Sequence, residues 1–456
     1  MLLAIPIFIV AMGLLLFWFV ANPSRLIYFV PVLLSFEYRI RITVFSFDLS
    51  ELCFFLMAIV CLAHAWQGRR ARSPENGSSE RLPVVLLSVC ALPAIFFEFN
   101  TAHAASVYRD LMLPFLFLLV FLRAGLEKHQ IHTLIKLACV FALVNACLGI
   151  VQYATGNYLW FAGPDEADWQ TYKTGLAKLS ILGDFLGVRD TLAVGLYTGA
   201  NNYACYLSLP LCLATTLAFY GGVPKRKRAL CAAASVVMFV SLLFTMFRSG
   251  LLVFFASMMA VYFALSRQKG VLRVVIISLL AAIVAILFLT QGLLDWDQFG
   301  SFQGRQEMIS AALALMKSHP ELLLTGGYTD LYHLQSRETQ EIHNLALYSI
   351  VQFGLPVTLL YFAFFIRLFR RAIPAVKALT GVERSTLVAI VASVGANVFV
   401  YGSTTMLIDS VQTSIWLLFW SGIATYLIDF APARASAPAP AFVPSHAMFP
   451  EQGRLT

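Results

Sequence analysis

Residues 345–368 read LALYSIVQFGLPVTLLYFAFFIRL and carry one charge, on Arg367 near the end of the stretch. A helix rises about 1.5 Å per residue, so an uncharged run of this length crosses the roughly 30 Å of hydrocarbon in a bilayer. Lipid offers no hydrogen-bond partners to the backbone, so only helices and closed barrels span membranes, and continuous apolar runs indicate helices. The stretch therefore predicts a transmembrane helix.

Similar apolar runs recur along the whole chain of 456 residues. They predict about twelve spans, at 2–21, 50–66, 83–97, 107–123, 131–153, 201–221, 229–247, 249–266, 272–293, 345–368, 385–402 and 409–428. The shorter run 26–35 is consistent with a re-entrant segment, an interfacial segment or a thirteenth span. Hydrophobic residues make up 59% of the chain and charged residues 12%, which excludes an ordinary soluble enzyme. We predict an all-α, polytopic membrane protein.

Basic residues cluster in alternate loops between these spans, so the net charge of +8 is a topology signal and no nucleic-acid partner is expected. The clusters are Arg69, Arg70 and Arg72; Arg123 and Lys128; Lys225, Arg226, Lys227 and Arg228; Arg267, Lys269 and Arg273; and Arg367, Arg370, Arg371 and Lys377. The positive-inside rule then places both termini in the cytoplasm. Only Arg25, Arg39 and Arg41 conflict with this orientation.

The predicted organisation alternates membrane helices with two long outer loops. Its parts are N-terminal helices 1–153, an outer loop 154–200, central helices 201–293, an outer loop 294–344 that carries candidate catalytic residues, C-terminal helices 345–430 and a disordered cytoplasmic tail 431–456. The polar chemistry of the chain therefore lies outside the cytoplasm. Nucleotide-activated donors are cytoplasmic, so a reaction on the outer side needs a donor carried by a lipid.

Two arginines are candidates for binding an anion. Arg248, in FTMFRSGLLVFF, lies between two spans joined almost without a loop. Its guanidinium suits a phosphate or diphosphate, although an interfacial arginine that extends to water is an equal alternative. Arg305 precedes 306–317, where the apolar spacing predicts a short amphipathic helix on the outer surface. A cation at a helix N-terminus is disfavoured, so Arg305 either serves a ligand or is ordinary surface charge.

His343 and Asn344 lie where the second outer loop meets a predicted span. A histidine at this boundary can act as a general base toward a hydroxyl group, because its pKa lies near neutrality. The alternative is a solvated histidine at the end of a loop, with Asn344 as a helix cap. Gly354 and Pro356 follow inside the span, where we expect them to kink the helix or allow close packing.

Polar residues also precede the central span, in GVRDTLAVGLYTGANNYACYL. The amides of Asn201 and Asn202 could hydrogen-bond a glycan or a phosphate, and Arg189 lies upstream of them. The alternative is that the two asparagines form an N-cap pair.

Together these fragments resemble the O-antigen ligase/polymerase superfamily of bacterial membrane glycosyltransferases. Four fragments occur in the family's order within residues 189–360. They are Arg189 with Gly199-Ala200-Asn201-Asn202-Tyr203-Ala204; Phe247-Arg248-Ser249-Gly250; Gly304-Arg305 with His319-Pro320 and Leu324-Thr325-Gly326-Gly327; and His343-Asn344, nine residues, then Gly354. The resemblance implies a GT-C-like fold in a bacterial inner membrane, with the active site facing the periplasm.

The resemblance also implies a reaction, a metal-independent inverting transfer with no cofactor. The donor is a glycan on undecaprenyl diphosphate, and the acceptor is a second glycan or the lipid A core. Arg248 and Arg305 would hold the diphosphate, and His343 would deprotonate or orient the acceptor hydroxyl. Arg189, Asn201, Asn202 and Asn344 are the implied substrate-binding residues. The lipid bilayer and a chain-length regulator are the further partners that the resemblance suggests.

Four interpretations of the function remain open. An O-antigen or exopolysaccharide polymerase is favoured by the short outer loop and by Val357, which departs from the ligase pattern. An O-antigen ligase shares the donor and the chemistry. A polytopic transporter or flippase fits the number of spans, but transporters usually carry ionisable residues near the middle of the membrane, and these span interiors are almost uncharged. A non-catalytic assembly partner would tolerate His343→Ala.

Overall fold

The computed structural model describes residues 23–36, 39–42, 45–48, 51–66, 81–97, 101–156, 192–197, 199–245, 247–266, 300–327, 344–403 and 410–431. These residues are almost entirely helical, as predicted. The predicted spans 2–21 and 272–293 lie outside the described residues, as does the predicted tail beyond Ala431.

The first described element is a 3-10 helix, Pro23–Phe29, that continues as the short helix α1, Val30–Leu33. Two short strands follow, β1 (Arg39–Ile42) and β2 (Phe45–Asp48). The other helices are α2 (Glu51–Trp66), α3 (Arg81–Phe97), α4 (Thr101–Arg123), α5 (Lys128–Thr155), α6 (Ala200–Tyr220), α7 (Lys225–Phe244), α8 (Arg248–Leu265), α9 (Gly300–Ser318), α10 (Leu322–Thr325), α11 (Leu345–Ala378), α12 (Gly381–Ala396) with a π-helical extension Asn397–Tyr401, and α13 (Val411–Phe430).

Helices coincide with every predicted span that falls on described residues. Six of the described helices are long and apolar enough to cross a bilayer, namely α5, α6, α7, α11, α12 with its extension, and α13. The apolar parts of α2, α3 and α8 are shorter. The chain is therefore a multi-pass membrane protein, and the number of about twelve spans stays a prediction.

The hairpin of β1 and β2 departs from the all-α prediction. The strands are antiparallel, and Arg39 pairs with Asp48 while Ile42 pairs with Phe45. The sequence RIRI followed by FSFD alternates polar and apolar residues with a period of two, which favours strands over helix. The length of the hairpin is too small for it to change the helical architecture.

The core forms around α13, which is buried along its whole length, and around α6, which is buried along most of its length. Trp416, Phe419 and Trp420 of α13 pack ring against ring. Phe121 of α4 and Tyr206 of α6 extend this cluster to the neighbouring helices. By contrast α7 exposes most of its surface, with Leu230 and Val236 among its exposed apolar side chains. In a membrane protein such a face contacts lipid.

The segment 26–35 forms a buried helical turn. The 3-10 helix and α1 together extend about 20 Å, which is shorter than the hydrocarbon layer. The carbonyl of Leu34 accepts hydrogen bonds from Tyr197 Oη at 2.6 Å and Gln412 Nε2 at 3.1 Å. The carbonyl of Ser35 accepts one from Asn145 Nδ2 at 2.9 Å. Helix ends are tolerated at membrane depth where protein groups satisfy their carbonyls, so this pattern favours a re-entrant segment over a separate span.

The two ends of the helical bundle differ in charge. At one end Lys128 pairs with Glu383, and Arg371 pairs with Asp429 at 2.8 Å. The basic run Lys225–Arg228 starts α7 at this same end and is exposed. Successive helices reverse direction, so α6, α8 and α11 all start at the opposite end. That end carries the candidate site.

Candidate functional site

The starts of α6, α8 and α11 meet at the end of the π-helical segment. The hydroxyl of Tyr401 donates to the carbonyl of Asn201 in α6 at 2.9 Å. Its ring packs against the ring of Phe247, which immediately precedes α8, with 6.2 Å between centroids. The carbonyl of Gly402 accepts the backbone N–H of Leu345, the first residue of α11, at 2.7 Å. Three fragments that are far apart in sequence are therefore brought to one corner.

Asn397 fixes this corner to α6. Its Nδ2 donates to the hydroxyl of Ser208 at 3.0 Å and to the carbonyl of Ser393 at 2.8 Å. The thiol of Cys205 lies 3.1 Å from Asn397 Oδ1. The side chain bonds back to Ser393 in the residue range where α12 widens into a π-helix, and π-helical turns occur often at functional sites. Sequence reasoning missed Asn397, Tyr401 and Gly402, although an asparagine within an apolar span was a signal.

Arg248 is the first residue of α8, and three residues separate it from Phe244, where α7 ends. The predicted near absence of a loop is confirmed. Gly250 lets α8 approach α6, since a Cβ there would lie 2.8 Å from the Cβ of Ala204. The position of the Arg248 side chain lies outside what the structure describes. Its backbone position is the positive end of a helix, where a cation is disfavoured and an anion is favoured.

The residue after Arg248 adds a polar group at the same helix start. Ser249 is 6% exposed. Its Oγ has no hydrogen-bond partner in the described part of the chain. A buried hydroxyl usually has a partner, so this oxygen is suited to a ligand.

Arg305 lies within α9, whose backbone begins at Gly300, before the predicted start at Gln306. The prediction that Arg305 marks the helix N-terminus is therefore wrong, and the argument from the helix dipole does not apply to it. The helix already includes GSFQ, in which no residue blocks a helix as proline would. The side chain of Arg305 lies outside the described part of the structure. Further along the helix, Met308 and Ala312 of the predicted apolar face are buried, whereas Ile309 and Leu313 of the same face are exposed, so the buried side is narrower than the predicted one.

A tight turn follows α9. The N–H of His319 donates to the carbonyl of Leu315, and Leu322 N–H donates to the carbonyl of His319. The imidazole Nδ1 of His319 lies 3.0 Å from the carboxylate of Glu321. A backbone N–H and this imidazole lower the pKa of Glu321. The turn directs the chain into α10.

Glycines join α10 to the break in α11. Gly326 and Gly327 follow α10 with φ of 63° and 82°, which confirms the predicted turn. The N–H of Gly327 donates to the carbonyl of Gln352 at 2.9 Å. Gly354 has φ 84° and ψ 167°, so α11 is broken there, as expected. A Cβ on Gly354 would lie 2.8 Å from the carbonyl oxygen of Leu324. We call this contact between 324–327 and 352–354 the glycine clasp.

The clasp links the helix that carries Arg305 to the helix that starts beside His343. His343 itself lies outside the described residues. Asn344 is the N-cap of α11, and its side chain accepts the N–H of Leu347 at 3.1 Å. The capping role considered for Asn344 is thus confirmed. The Oδ1 atom of this side chain is the acceptor in the capping hydrogen bond.

Asn201 and Asn202 lie inside the first turn of α6, and the N-cap is Gly199. The alternative that they form an N-cap pair is therefore wrong. Asn201 Oδ1 lies 3.5 Å from the hydroxyl of Tyr401. Arg189 lies outside the described residues.

The segment 192–197, which leads to α6, is buried among the helices. The side chain of Gln152 provides hydrogen-bond partners for the backbone of this segment. Its Nε2 donates to the carbonyl of Gly195 at 2.7 Å, and its Oε1 accepts the N–H groups of Val194 and Gly195. Asn145, two turns earlier on α5, accepts the N–H of Leu196 at 3.0 Å. Sequence reasoning missed these amides, and the signal was two polar residues seven apart in an apolar helix.

The structure thus brings together the elements that carry Asn201, Arg248 and Asn344. It ties the element that carries Arg305 to α11 through the glycine clasp. Among the described residues, no three His, Cys, Asp or Glu side chains lie close enough to hold a metal ion.

The sequence model of one protein family, described as O-antigen ligase, matches residues 233–362. The match includes Arg248, Arg305, His343, Asn344 and Gly354, and it does not reach the start of α6. No curated protein sequence matches the chain significantly. The glycine clasp lies within the matched region, as do Phe247 and Leu345 of the corner, whereas Asn201, Tyr401 and Gly402 lie outside it. Residues 233–362 are therefore similar to the O-antigen ligase family, in the part of the chain that carries three of the four fragments resembling the superfamily.

Proposed function

We propose that the protein is a membrane glycosyltransferase that moves a glycan from undecaprenyl diphosphate to an acceptor hydroxyl on the outer face of the bacterial inner membrane. The observation that carries this proposal is the meeting of Asn201, Phe247 and Leu345 at Tyr401 and Gly402. These residues belong to or adjoin three of the four fragments on which the family resemblance rests. A reaction that needs those fragments in one place is supported by their contact.

In this proposal the start of α8 binds the diphosphate. Arg248 offers a guanidinium that can donate two parallel hydrogen bonds, and the first N–H groups of α8 add the positive end of the helix dipole. Arg305 would contribute a second cation from α9. Charge that develops on the departing diphosphate is then stabilised in place, which lowers the barrier.

His343 acts on the acceptor. It directly precedes Asn344, the N-cap of α11, and in this proposal the acceptor hydroxyl binds at this helix start. The neutral imidazole accepts the proton of the attacking hydroxyl, the oxygen of that hydroxyl bonds to the anomeric carbon, and the bond from that carbon to the diphosphate breaks. Inversion at the anomeric carbon follows from a single displacement. Arg189, Asn201, Asn202 and Asn344 are proposed to bind the substrates.

Two acceptors are considered. A second lipid-linked repeat would make the protein a polymerase of O-antigen or exopolysaccharide, which the short outer loop and Val357 favour. The lipid A core would make it a ligase, which the description of the matching family favours. The two share donor, site and chemistry.

The deciding experiment uses the purified protein in lipid nanodiscs with a defined undecaprenyl-diphosphate-linked repeat, with and without a lipid A-core acceptor. His343→Ala is compared with His129→Ala, a matched change at an exposed histidine at the basic end of the bundle. Products are read by gel electrophoresis and mass spectrometry. A ladder of longer glycans on the prenyl lipid, made by the wild type and by His129→Ala but not by His343→Ala, is the expected result.

Three other results would each lead to a different assignment of function or mechanism. Transfer only in the presence of the lipid A-core acceptor identifies a ligase. No transfer from any donor, together with donor movement across the membrane of liposomes, identifies a transporter or flippase instead. Equal activity of His343→Ala and the wild type removes His343 from the mechanism.

A further inference from the structure

We propose that Tyr401 is a positioning residue of the site and acts through Asn201. Its hydroxyl orients the carboxamide of Asn201 so that the amide nitrogen donates to an oxygen of the lipid-linked substrate. This inference rests on the proposed function, and it adds a residue that lies outside both the family match and the fragments that resemble the family.

The position of Tyr401 is closely determined. It is 2% exposed, it ends the π-helical segment of α12, and its ring packs on Phe247. The next residue, Gly402, bonds to the start of α11. A Cβ at Gly402 would lie 2.9 Å from Leu345 Cδ2, so this approach requires glycine or a shift of Leu345. The hydroxyl of Tyr401 is thereby held at the start of α6.

The single proton of the Tyr401 hydroxyl faces two oxygens of Asn201, the backbone carbonyl and, at longer range, Oδ1. The hydroxyl donates to the carbonyl of Asn201 at 2.9 Å and lies 3.5 Å from Oδ1 of the same residue. A carbonyl oxygen has two lone pairs, so it can accept this bond in addition to a helical one. Oδ1 faces the hydroxyl, and Nδ2 with its two protons therefore faces away from Tyr401.

The amide nitrogen of Asn201 is a free donor in the described part of the chain. The hydrogen bonds found there for its side chain involve Oδ1 only. Asn201 is half-buried and lies in the first turn of α6, at the outer end of the described bundle. An uncharged N–H donor beside a cationic helix start suits a phosphate oxygen or a sugar hydroxyl, both of which the proposed donor carries.

The test is a double-mutant cycle in nanodiscs with the variants Tyr401→Phe, Asn201→Ala and the combination. Tyr401→Phe removes only the hydroxyl and keeps the ring contact with Phe247. We expect KM for the lipid-linked donor to rise about tenfold in each single variant, the effect of one lost hydrogen bond, with kcat changed less than about twofold. If Tyr401 acts through Asn201, the double variant resembles Asn201→Ala alone.

Tyr426→Phe is the matched control. Tyr426 is a buried tyrosine at the opposite end of the bundle, and its hydroxyl donates to the carbonyls of Phe121 and Leu122 at 2.9 and 3.0 Å. A purely structural effect of losing a buried hydroxyl would lower the apparent unfolding temperature of both variants and leave KM alone. We expect only Tyr401→Phe to raise KM.

A second measurement does not depend on catalysis: the affinity for undecaprenyl diphosphate without a glycan is measured directly in the same preparations. A weaker affinity in Tyr401→Phe assigns the Asn201 contact to the diphosphate, and an unchanged affinity with a raised KM assigns it to the glycan. An unchanged KM in Tyr401→Phe, or additive effects in the double variant, overturns the role of Tyr401. An inactive wild type contradicts the proposed function, and in that case an affinity equal in wild type and Tyr401→Phe overturns this inference as well.

Discussion

The backbones of Gly326 and Phe353 lie in direct contact: a Cβ on Gly326 would stand 2.5 Å from both the nitrogen and the carbonyl carbon of Phe353. Side chains are thus excluded from a junction between the outer-loop helices and the middle of α11. Gly354, on the other side of the same junction, meets the carbonyl of Leu324. The glycine clasp therefore holds the end of α10 against the middle of α11 by backbone contact. The turn at His319 joins α9 to α10, so the clasp also limits where α9 can lie.

A first prediction concerns Gly354. In Gly354→Ala the new Cβ meets Leu324 at 2.8 Å, and the φ of 84° is itself unfavourable for alanine, so we expect a loss of about 2 kcal/mol of stability. We also expect a clear loss of transfer activity, because the clasp positions α9. The shift in apparent unfolding temperature and the transfer rate are the measurements.

Gly395→Ala is the control for Gly354→Ala. Gly395 lies within α12, and a Cβ there would meet the ring of Phe369 at 3.4 Å or more, which is ordinary contact. Alanine at such a helical position stabilises by up to about 1 kcal/mol. Equal behaviour of the two variants would contradict the clasp.

A second prediction concerns the packing of α8 on α6. A Cβ at Gly250 would lie 2.8 Å from the Cβ of Ala204 and 3.0 Å from Leu242 Cδ1. Overpacking of this kind costs about 1–3 kcal/mol, and it displaces the helix start that carries Arg248. Gly250→Ala should therefore lower transfer activity, and Gly250→Leu should lower it further. Ser257→Ala on the same helix removes only a bond to the carbonyl of Val253 and should leave activity unchanged.

A third prediction concerns Gln152. In Gln152→Leu the N–H groups of Val194 and Gly195 and the carbonyl of Gly195 lose this partner in a buried segment. Each unsatisfied buried group costs about 1–3 kcal/mol, so we expect a large fall in the apparent unfolding temperature. Thr155→Ala, near the exposed end of the same helix, should change it little. If Gln152→Leu is as stable as the wild type, the segment 192–197 does not depend on this amide.

The helices could be predicted from sequence because apolar run length alone decides whether a segment can cross a bilayer. Residues 345–368, predicted as one span, form the first part of α11. The turn at Gly326-Gly327 and the break at Gly354 were likewise readable, because glycine is the residue that adopts positive φ without strain. The start of α9 at Gly300 could not be predicted, because nothing in GSFQ marks a helix boundary.

The corner at Tyr401 could not be predicted, because its contacts join residues that are between about 60 and 200 positions apart. Local spacing carries no information on which span ends meet. The two buried amides of α5 illustrate the same limit. Their positions inside an apolar helix indicate a polar partner, but only the fold identifies that partner as the backbone of 192–197.

A last prediction separates a ligand-binding role for Arg305 from ordinary surface charge. Arg305 and Lys317 lie on the same helix, α9, and Lys317 is exposed near its end. If Arg305 holds the diphosphate, Arg305→Ala loses a charge-assisted hydrogen bond of about 1.5–3 kcal/mol, which corresponds to about a 10- to 100-fold fall in kcat/KM. Arg305→Lys should recover only part of this loss, because an ammonium cannot donate two parallel bonds. Lys317→Ala removes the same charge and should leave kcat/KM within about twofold of the wild type. Equal, small effects of Arg305→Ala and Lys317→Ala would mean that α9 contributes only its general positive charge, and Arg248 would then be the one arginine proposed for the diphosphate.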